Sequence, residues 1–184
     1  NSYSYSAQFS ADGRYVLFAS GASNLLAGDT NHADDVFVKD LQSGAIQRVS
    51  TDAAGVQGNG ASYSAQFSAD GRYVLFQSLA SSLVAGDTNG VGDIFVKTLA
   101  GGAVTRVSTT AAGGNADGPS DESRFSPDGK SVLFWSDASN LAGADTNNAP
   151  DIFLKTLATG AIRRLSVNVA GKQGNNDSYS GRFS

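Results

Sequence analysis

The sequence predicts an all-β fold, a β-propeller segment of three four-stranded antiparallel blades plus the first strand of a fourth. Two observations carry that prediction. Phe9, Phe67, Phe125 and Phe183 recur at a constant step of 58 residues, and the same step carries Asp12-Gly13 onto Asp70-Gly71 and Asp128-Gly129, and Arg48 onto Arg106 and Arg164. Within each step, four short apolar segments are separated by turn residues, and helical periodicity is absent throughout. Self-similarity at a fixed period marks an array whose units bury their faces against one another. The repeat divides the chain into units 1–58, 59–116 and 117–174, with 175–184 opening a fourth unit that is not completed, as expected of a piece of a longer array.

The first strand of a unit is expected at 4–10. Tyr5, Ala7 and Phe9 alternate with Ser4, Ser6, Gln8 and Ser10, which is the period of a half-buried strand. Ala11-Asp12-Gly13 then turns the chain, because glycine accepts a positive φ without a Cβ clash. The second strand, 14–20, carries Tyr15, Val16, Leu17 and Phe18 in succession, so both of its faces are apolar and it belongs at the centre of a sheet. A third strand follows at 35–41 around Val36, Phe37 and Val38, and a fourth at 45–50, whose Gln47 and Arg48 suit an outer strand. Four short strands, a Gly- and Asn-rich crossing over 51–61, then the same four strands again describe a propeller blade. A single sheet of this kind is not stable alone in water and needs a neighbour on its faces.

Composition excludes several functions. The chain has 184 residues with no Cys and no Met, which removes disulfides, thiolate metal sites and thiol nucleophiles. A formal charge of −4 and scattered basic residues oppose binding to a phosphate backbone, so nucleic acid is not an expected partner. No apolar run reaches the length needed to span a bilayer. Abundant Gly, Ser, Thr and Asn with few Lys fit an exported protein, extracellular or periplasmic.

The phrase Phe67-Ser68-Ala69-Asp70-Gly71-Arg72-Tyr73-Val74-Leu75-Phe76, followed by Asp93-Ile94-Phe95-Val96-Lys97 and Arg106-Val107-Ser108, resembles the TolB-type, WD-repeat-like (PD-repeat) propeller family. The third unit has the proline of that family's turn in Phe125-Ser126-Pro127-Asp128-Gly129, where the first two have Ala11 and Ala69. The resemblance covers all three units and implies the propeller fold. Its functional implications are broad: scaffold, peptidase accessory domain or cell-envelope adaptor.

The step of 58 residues exceeds the roughly 40–45 usual for a four-stranded blade. The excess lies between the second and third strands, in a loop of about fourteen residues. Its repeated oxygen donors are Asp29, Asn31 and Asp35, then Asp87, Asn89 and Asp93, then Asp145, Asn147 and Asp151. This spacing is able to wrap a hard cation, with calcium as the candidate ion and backbone carbonyls or water completing the shell. It lacks the bidentate Glu at position 12 of familiar calcium loops. The alternative is that Asp and Asn cap turns by accepting backbone N–H hydrogen bonds.

The other repeated residues have structural readings. Leu25, Leu83 and Leu141 are expected to pin the loop to its blade, and Arg48, Arg106 and Arg164 to pair with a neighbouring carboxylate or carbonyl. Trp135 interrupts the repeat, as larger filler or as a sugar-stacking platform. His32 is the only histidine and has no identifiable orienting group or nucleophile. No catalytic residue is therefore assigned.

These features point to a non-enzymatic propeller scaffold or binding module with a protein or glycan partner. An accessory propeller gating the substrate of a hydrolase or peptidase is the first alternative, and a calcium-dependent adhesin or lectin the second. Two chains joined as a homodimer are a further route to a complete ring.

Overall fold

The computed structural model describes residues 2–184, and twelve strands form three separate four-stranded sheets. The first sheet contains β1 (Ser4–Phe9), β2 (Tyr15–Ser20), β3 (Asp35–Asp40) and β4 (Ile46–Arg48), hydrogen-bonded in that order. The second contains β5 (Ser62–Phe67), β6 (Tyr73–Ser78), β7 (Asp93–Thr98) and β8 (Val104–Arg106). The third contains β9 (Ser120–Phe125), β10 (Ser131–Ser136), β11 (Asp151–Thr156) and β12 (Ile162–Arg164). Every pairing is antiparallel, as the meander of short strands predicts.

The turn between β1 and β2 shows why Asp-Gly recurs. Gly13 adopts φ 69°, and the Asp12 carboxylate accepts hydrogen bonds from Ser10 Oγ at 2.6 Å and from the Arg14 amide at 3.0 Å. The same pair of bonds forms at Asp70 and at Asp128. Ala for Pro at the preceding position leaves the turn unaltered.

The first strands differ from their expected regular alternation. Tyr5 pairs with Ala19 and Gln8 with Leu17, so Ser6 and Ala7 together face one residue of β2. Such a bulge admits an extra residue and bends the strand. Ser6, Ser64, Glu122 and Ser180 all have positive φ, between 47° and 55°, in the region that side chains other than glycine seldom adopt. Tyr5, Ala7 and Phe9 therefore do not share one uninterrupted face.

Segment 178–184 follows the pattern without a sheet partner. The Ser178 amide donates to the Pro150 carbonyl at 2.8 Å, as Ser62 does to Asp34 and Ser120 to Gly92. A Cβ added at Gly181 would lie 2.9 Å from Leu133, and Tyr179 meets Trp135 edge-on with centroids 5.3 Å apart. The segment thus lies on the third blade where a fourth blade's first strand belongs.

Hydrophobic burial lies between blades. Leu17, Val36, Val38 and Val49 of the first blade pack against Phe67, Val74 and Phe76 of the second in one cluster. Fifty-eight positions on, Leu75, Ile94, Val96 and Val107 pack against Val132 and Phe134 of the third. Leu83 and Leu141 are buried in these clusters and act as packing anchors, whereas Leu25 is half-buried and belongs to neither.

Candidate functional site

Two places gather chemistry-bearing side chains: the repeated acidic loops and a groove between the first strands. In the first loop, Arg48 reaches back from the end of β4 and lies 3.3 Å from Asp29 and 3.2 Å from Asp35. Arg48 thus pairs with neighbouring carboxylates from the outer strand of its sheet, and its guanidinium is buried and sits over the Phe37 ring at 5.7 Å. Gln57, from the crossing to the next blade, donates its amide to Asp29 at 2.9 Å and to Asp35 at 2.7 Å. The other oxygen of Asp35 accepts from Ser50 Oγ at 2.6 Å. Burial pushes the Asp35 carboxyl above its ordinary range, against the opposing pull of Ser50, Gln57 and Arg48.

The equivalent clusters vary this scheme. Arg106 lies 2.7 Å from Asp87 and 3.3 Å from Asp93, and also donates to Asn115, which stands where Gln57 does in the first unit. Burial raises the Asp87 carboxyl despite Arg106. In the third cluster Arg164 lies 2.9 Å from Asp151, and Gln173 spans Asp145, Asn147 and Asp151 at 2.7, 2.6 and 2.7 Å. Burial there works to raise Asp145, but Gln173, the amides of Asn147 and Asn148 and the charge of Arg164 outweigh it and hold the carboxyl low.

The asparagines brace the loops. Asn31 Oδ1 accepts from the Ala33 amide at 3.0 Å while its Nδ2 donates to the Gly58 carbonyl at 2.9 Å. Asn147 does the same with Ala149 and Gly174, at 3.1 and 2.9 Å. Asn89 pairs with Val91 and Ala116, at 3.4 and 3.1 Å. The structure therefore brings all nine predicted residues together as three sets and surrounds their carboxylates with N–H and O–H donors. Among the described residues no group of three or more His, Asp or Glu side chains is arranged to hold a metal ion. A calcium ion at these carboxylates would compete with the guanidinium between them in the first two clusters, and with Arg164 and the bridging Gln173 in the third, so the residues as arranged fit an arginine-centred cluster rather than a calcium shell.

His32 has φ 56°, and its equivalents Gly90 and Asn148 have φ 69° and 52°. The position selects residues that tolerate a left-handed turn, which accounts for His32 without chemistry. Trp135 is half-buried and meets Tyr179 edge-on.

The groove was not anticipated. Its volume is about 460 Å3, and it is lined by Ser6 to Gln8, Ser64 to Gln66 and Glu122 to Arg124, the bulged stretches of β1, β5 and β9. Glutamines tie neighbouring first strands: Gln8 Oε1 accepts from the Phe67 amide at 3.3 Å, and Gln66 donates to the Ser123 carbonyl. The third blade departs here from the repeat. Where β1 and β5 both read Ser-Tyr-Ser-Ala-Gln-Phe, β9 reads Ser-Asp-Glu-Ser-Arg-Phe. Ser123 is 7% exposed, and its buried Oγ lacks a hydrogen-bond partner among the described residues. Arg124 replaces the tying glutamine and stands exposed at the groove, beside Glu122 on the strained bulge.

No protein-family model matches the chain, and no curated protein matches it. Solved structures do. TolB from Acinetobacter baumannii shares 23% identity with a TM-score of 0.54 over 93% of this chain and 34% of its own. A protein assigned as TolB from Agrobacterium tumefaciens shares 21% at TM-score 0.56, over 98% of this chain and 55% of its own. The β-propeller domain of the Trilobed protease from Pyrococcus furiosus shares 11% at TM-score 0.55, over 89% of this chain and 43% of its own. The fold is thus that of TolB-like and related propellers, and the chain spans between about a third and just over half of the length of these structures.

Proposed function

We propose that this chain is a non-enzymatic propeller segment of an exported protein, and that it binds an extended peptide segment of a protein partner in the groove between its first strands. One observation carries the reading: the unit-to-unit repeat gives way at the groove, where the third blade places Glu122, Ser123 and Arg124 in positions held by Ser, Ala and Gln in the other two. Packing and turn residues recur because each blade needs them. Glu122 stands where Ser6, Ser64 and Ser180 recur, and Arg124 replaces Gln8 and Gln66 and returns only as Arg182 of the incomplete fourth unit.

The chemistry of the lining suits a peptide. Serine and glutamine side chains pair with amide groups, and an exposed guanidinium takes a carboxylate as a bidentate acceptor. The first strands are sheet edges, so their bulges leave backbone groups facing the groove. A glycan partner is less favoured, because the groove lining contains no aromatic ring.

The test is titration of the isotope-labelled chain with the blocked peptide acetyl-Gly-Ser-Asp-Ser-Gly-amide, followed by amide chemical shifts. Shifts are expected around Ser6, Ser64 and Ser123, and Arg124→Gln, which restores the repeat, is expected to abolish them. Shifts confined to other surfaces would overturn the assignment. An accessory propeller that passes peptides to an attached hydrolase or peptidase is the second reading, in keeping with the protease propeller domain among the similar structures. Peptide binding there would be indifferent to Arg124→Gln. In the loops, the three arginine clusters supply the internal cations that a calcium-dependent adhesin or lectin would take from solution.

A further inference from the structure

The joint between the second and third blades holds a cavity of about 440 Å3 beside the Asp128-Gly129 turn. Its floor belongs to the core of that joint: Val96 is buried, and the half-buried Tyr73 and Leu157 pack against the same cluster. Thr98, Thr105 and Thr156 add hydroxyls to the wall, Lys130 is the exposed cation of the lining, and the lining contains no carboxylate. The two blades are held at a fixed distance here. Lys155, itself buried, forms a polar latch across the joint, donating its ammonium to the Thr109 carbonyl, the Thr109 hydroxyl and the Thr110 carbonyl at 2.7, 2.9 and 2.9 Å. The Leu157 amide also donates to the Lys130 carbonyl at 2.9 Å. A cavity with walls tied in this way is formed before any ligand arrives, as small-molecule sites usually are.

Comparison with the preceding joint shows how the charge at this cavity arises. Fifty-eight positions earlier, Asp40 and Gln47 stand where Thr98 and Thr105 do, so a charged and a long side chain give way to two short hydroxyls. In the first blade Arg14 pairs with Asp40 at 2.7 Å. Its counterpart Arg72 lacks that acid, because Thr98 stands opposite Tyr73 in the register where Asp40 stands opposite Tyr15. Arg72 donates instead to the Tyr73 hydroxyl at 3.2 Å, with Asp70 at 3.5 Å. Lys130 bonds to Asp128 through its backbone amide, and its ammonium lowers the Asp128 carboxyl without forming an ion pair among the described residues. An apolar floor thus meets a cationic rim.

We propose that this cavity binds a small organic anion, an apolar aryl or alkyl body carrying one carboxylate, with the body against Tyr73, Val96 and Leu157 and the carboxylate at Lys130. The volume lies within the range of small-ligand sites, about 300–1,000 Å3. Burial of the apolar body supplies attraction in proportion to the area removed from water, and the bond from the ammonium to the carboxylate sets the orientation. A cationic ligand would meet Lys130 and Arg72 together. The threonines are left to accept or donate to a substituent on the body. This site is distinct from the groove on the first strands, with which it shares no lining residue.

Titration of the isotope-labelled chain with 4-phenylbutyrate, and separately with its neutral partner 4-phenylbutyramide, tests the proposal through amide chemical shifts. Shifts are expected at Val96, Thr98, Thr105, Lys130 and Leu157, with the neutral compound binding about tenfold or more weakly, the loss expected of one charge-assisted hydrogen bond. Lys130→Met should weaken 4-phenylbutyrate by a similar factor and leave the melting temperature unchanged. Thr98→Asp, which restores the acid of the first blade, should abolish the shifts while circular dichroism stays that of the unaltered chain. Arg124→Gln, in the other groove, should leave them as they are. Equal affinity for the acid and its amide would overturn the assignment, as would binding indifferent to Lys130→Met, shifts confined to other surfaces, or no shifts at all.

Discussion

The ammonium of Lys97 lies 2.9 Å from both the carbonyl and the hydroxyl oxygen of Thr51, across the joint between the first and second blades. Burial pushes the Lys97 ammonium below its ordinary range, since a charge removed from water is less favoured, but three acceptors hold it in place. Apolar packing alone would let neighbouring sheets slide along one another. A directional bond at the sheet rim fixes their relative height.

Replacing Lys97 with Met keeps the apolar stem and removes the three donors. The acceptors of Thr51 and Asp52 then lose a charged partner, and the expected cost is about 2–3 kcal/mol in chemical denaturation. Lys130→Met, at an exposed position, is expected to change stability by less than about 0.5 kcal/mol. Equal effects from both substitutions would show that the latch contributes nothing.

The arginine clusters make a different prediction. Arg106→Met leaves Asp87 and Asp93 buried together without their cation, and is expected to cost about 3–5 kcal/mol. The melting temperature of the unaltered chain should be the same with calcium and with chelator, because each loop already contains its positive charge. In Arg106→Met, calcium should restore part of the lost stability by taking the vacated position between the carboxylates. A calcium-dependent melting temperature in the unaltered chain would instead return the loops to the ion-binding reading.

Much of this was legible in the sequence, for a physical reason. The repeat, the Asp-Gly turns and the doubly apolar strands around Leu17, Leu75 and Leu133 are local consequences of residue type, and all appear where expected. Pairing of Arg48 with Asp29 depends on how a strand end folds back over a loop, so the residues were identifiable but their geometry was not. The bulge at Ser6-Ala7 left no mark, because serine and alanine suit a regular strand equally well. The groove was missed although its signal was present: β9 exchanges Tyr, Ser, Ala and Gln for Asp, Glu, Ser and Arg.

The turn acids contribute to the response to acid, alongside Asp40, Asp117 and Asp145, which are also held below the usual carboxylate range. Hydrogen bonds from Ser10, Ser68 and Ser126, followed by backbone amides, hold Asp12, Asp70 and Asp128 below the usual carboxylate range. Their folded values lie below their unfolded ones, so the unfolded chain binds more protons as the solution is acidified. The stabilisation is complete above the unfolded value, near 3.8, and is lost as pH falls through the lower folded values. The triple substitution D12N, D70N and D128N should therefore flatten the acid limb of a stability curve and leave its slope near neutrality alone. An unchanged acid limb would place the acid sensitivity elsewhere.

Gly118 tests how closely successive blades are threaded. A Cβ at this position would lie 2.8 Å from the Ala138 amide nitrogen and 2.9 Å from the Asp137 carbonyl oxygen, and the corresponding contacts at Gly60 are 2.9 Å to Ala80 and 2.8 Å to Leu79. These neighbours are backbone atoms, so no side-chain rotation relieves the overlap, and the strand entering each blade must move bodily. Ser120, two residues on, anchors that strand through its amide to Gly92 of the previous blade and through its hydroxyl to Ser136 at 2.9 Å. Displacement would therefore stretch the bond between blades as well as the bond within one. Gly118→Ala is expected to destabilise by about 1–3 kcal/mol, the usual range for overpacking. Gly13→Ala serves as the contrast, because its added Cβ meets nothing within 4 Å and its cost is confined to the positive φ. Amide exchange should then accelerate at Ser120 and Ser62 in their respective glycine variants, and at neither in Gly13→Ala; faster exchange at both in Gly13→Ala would show that the effect is global loss of stability rather than loss of the joint.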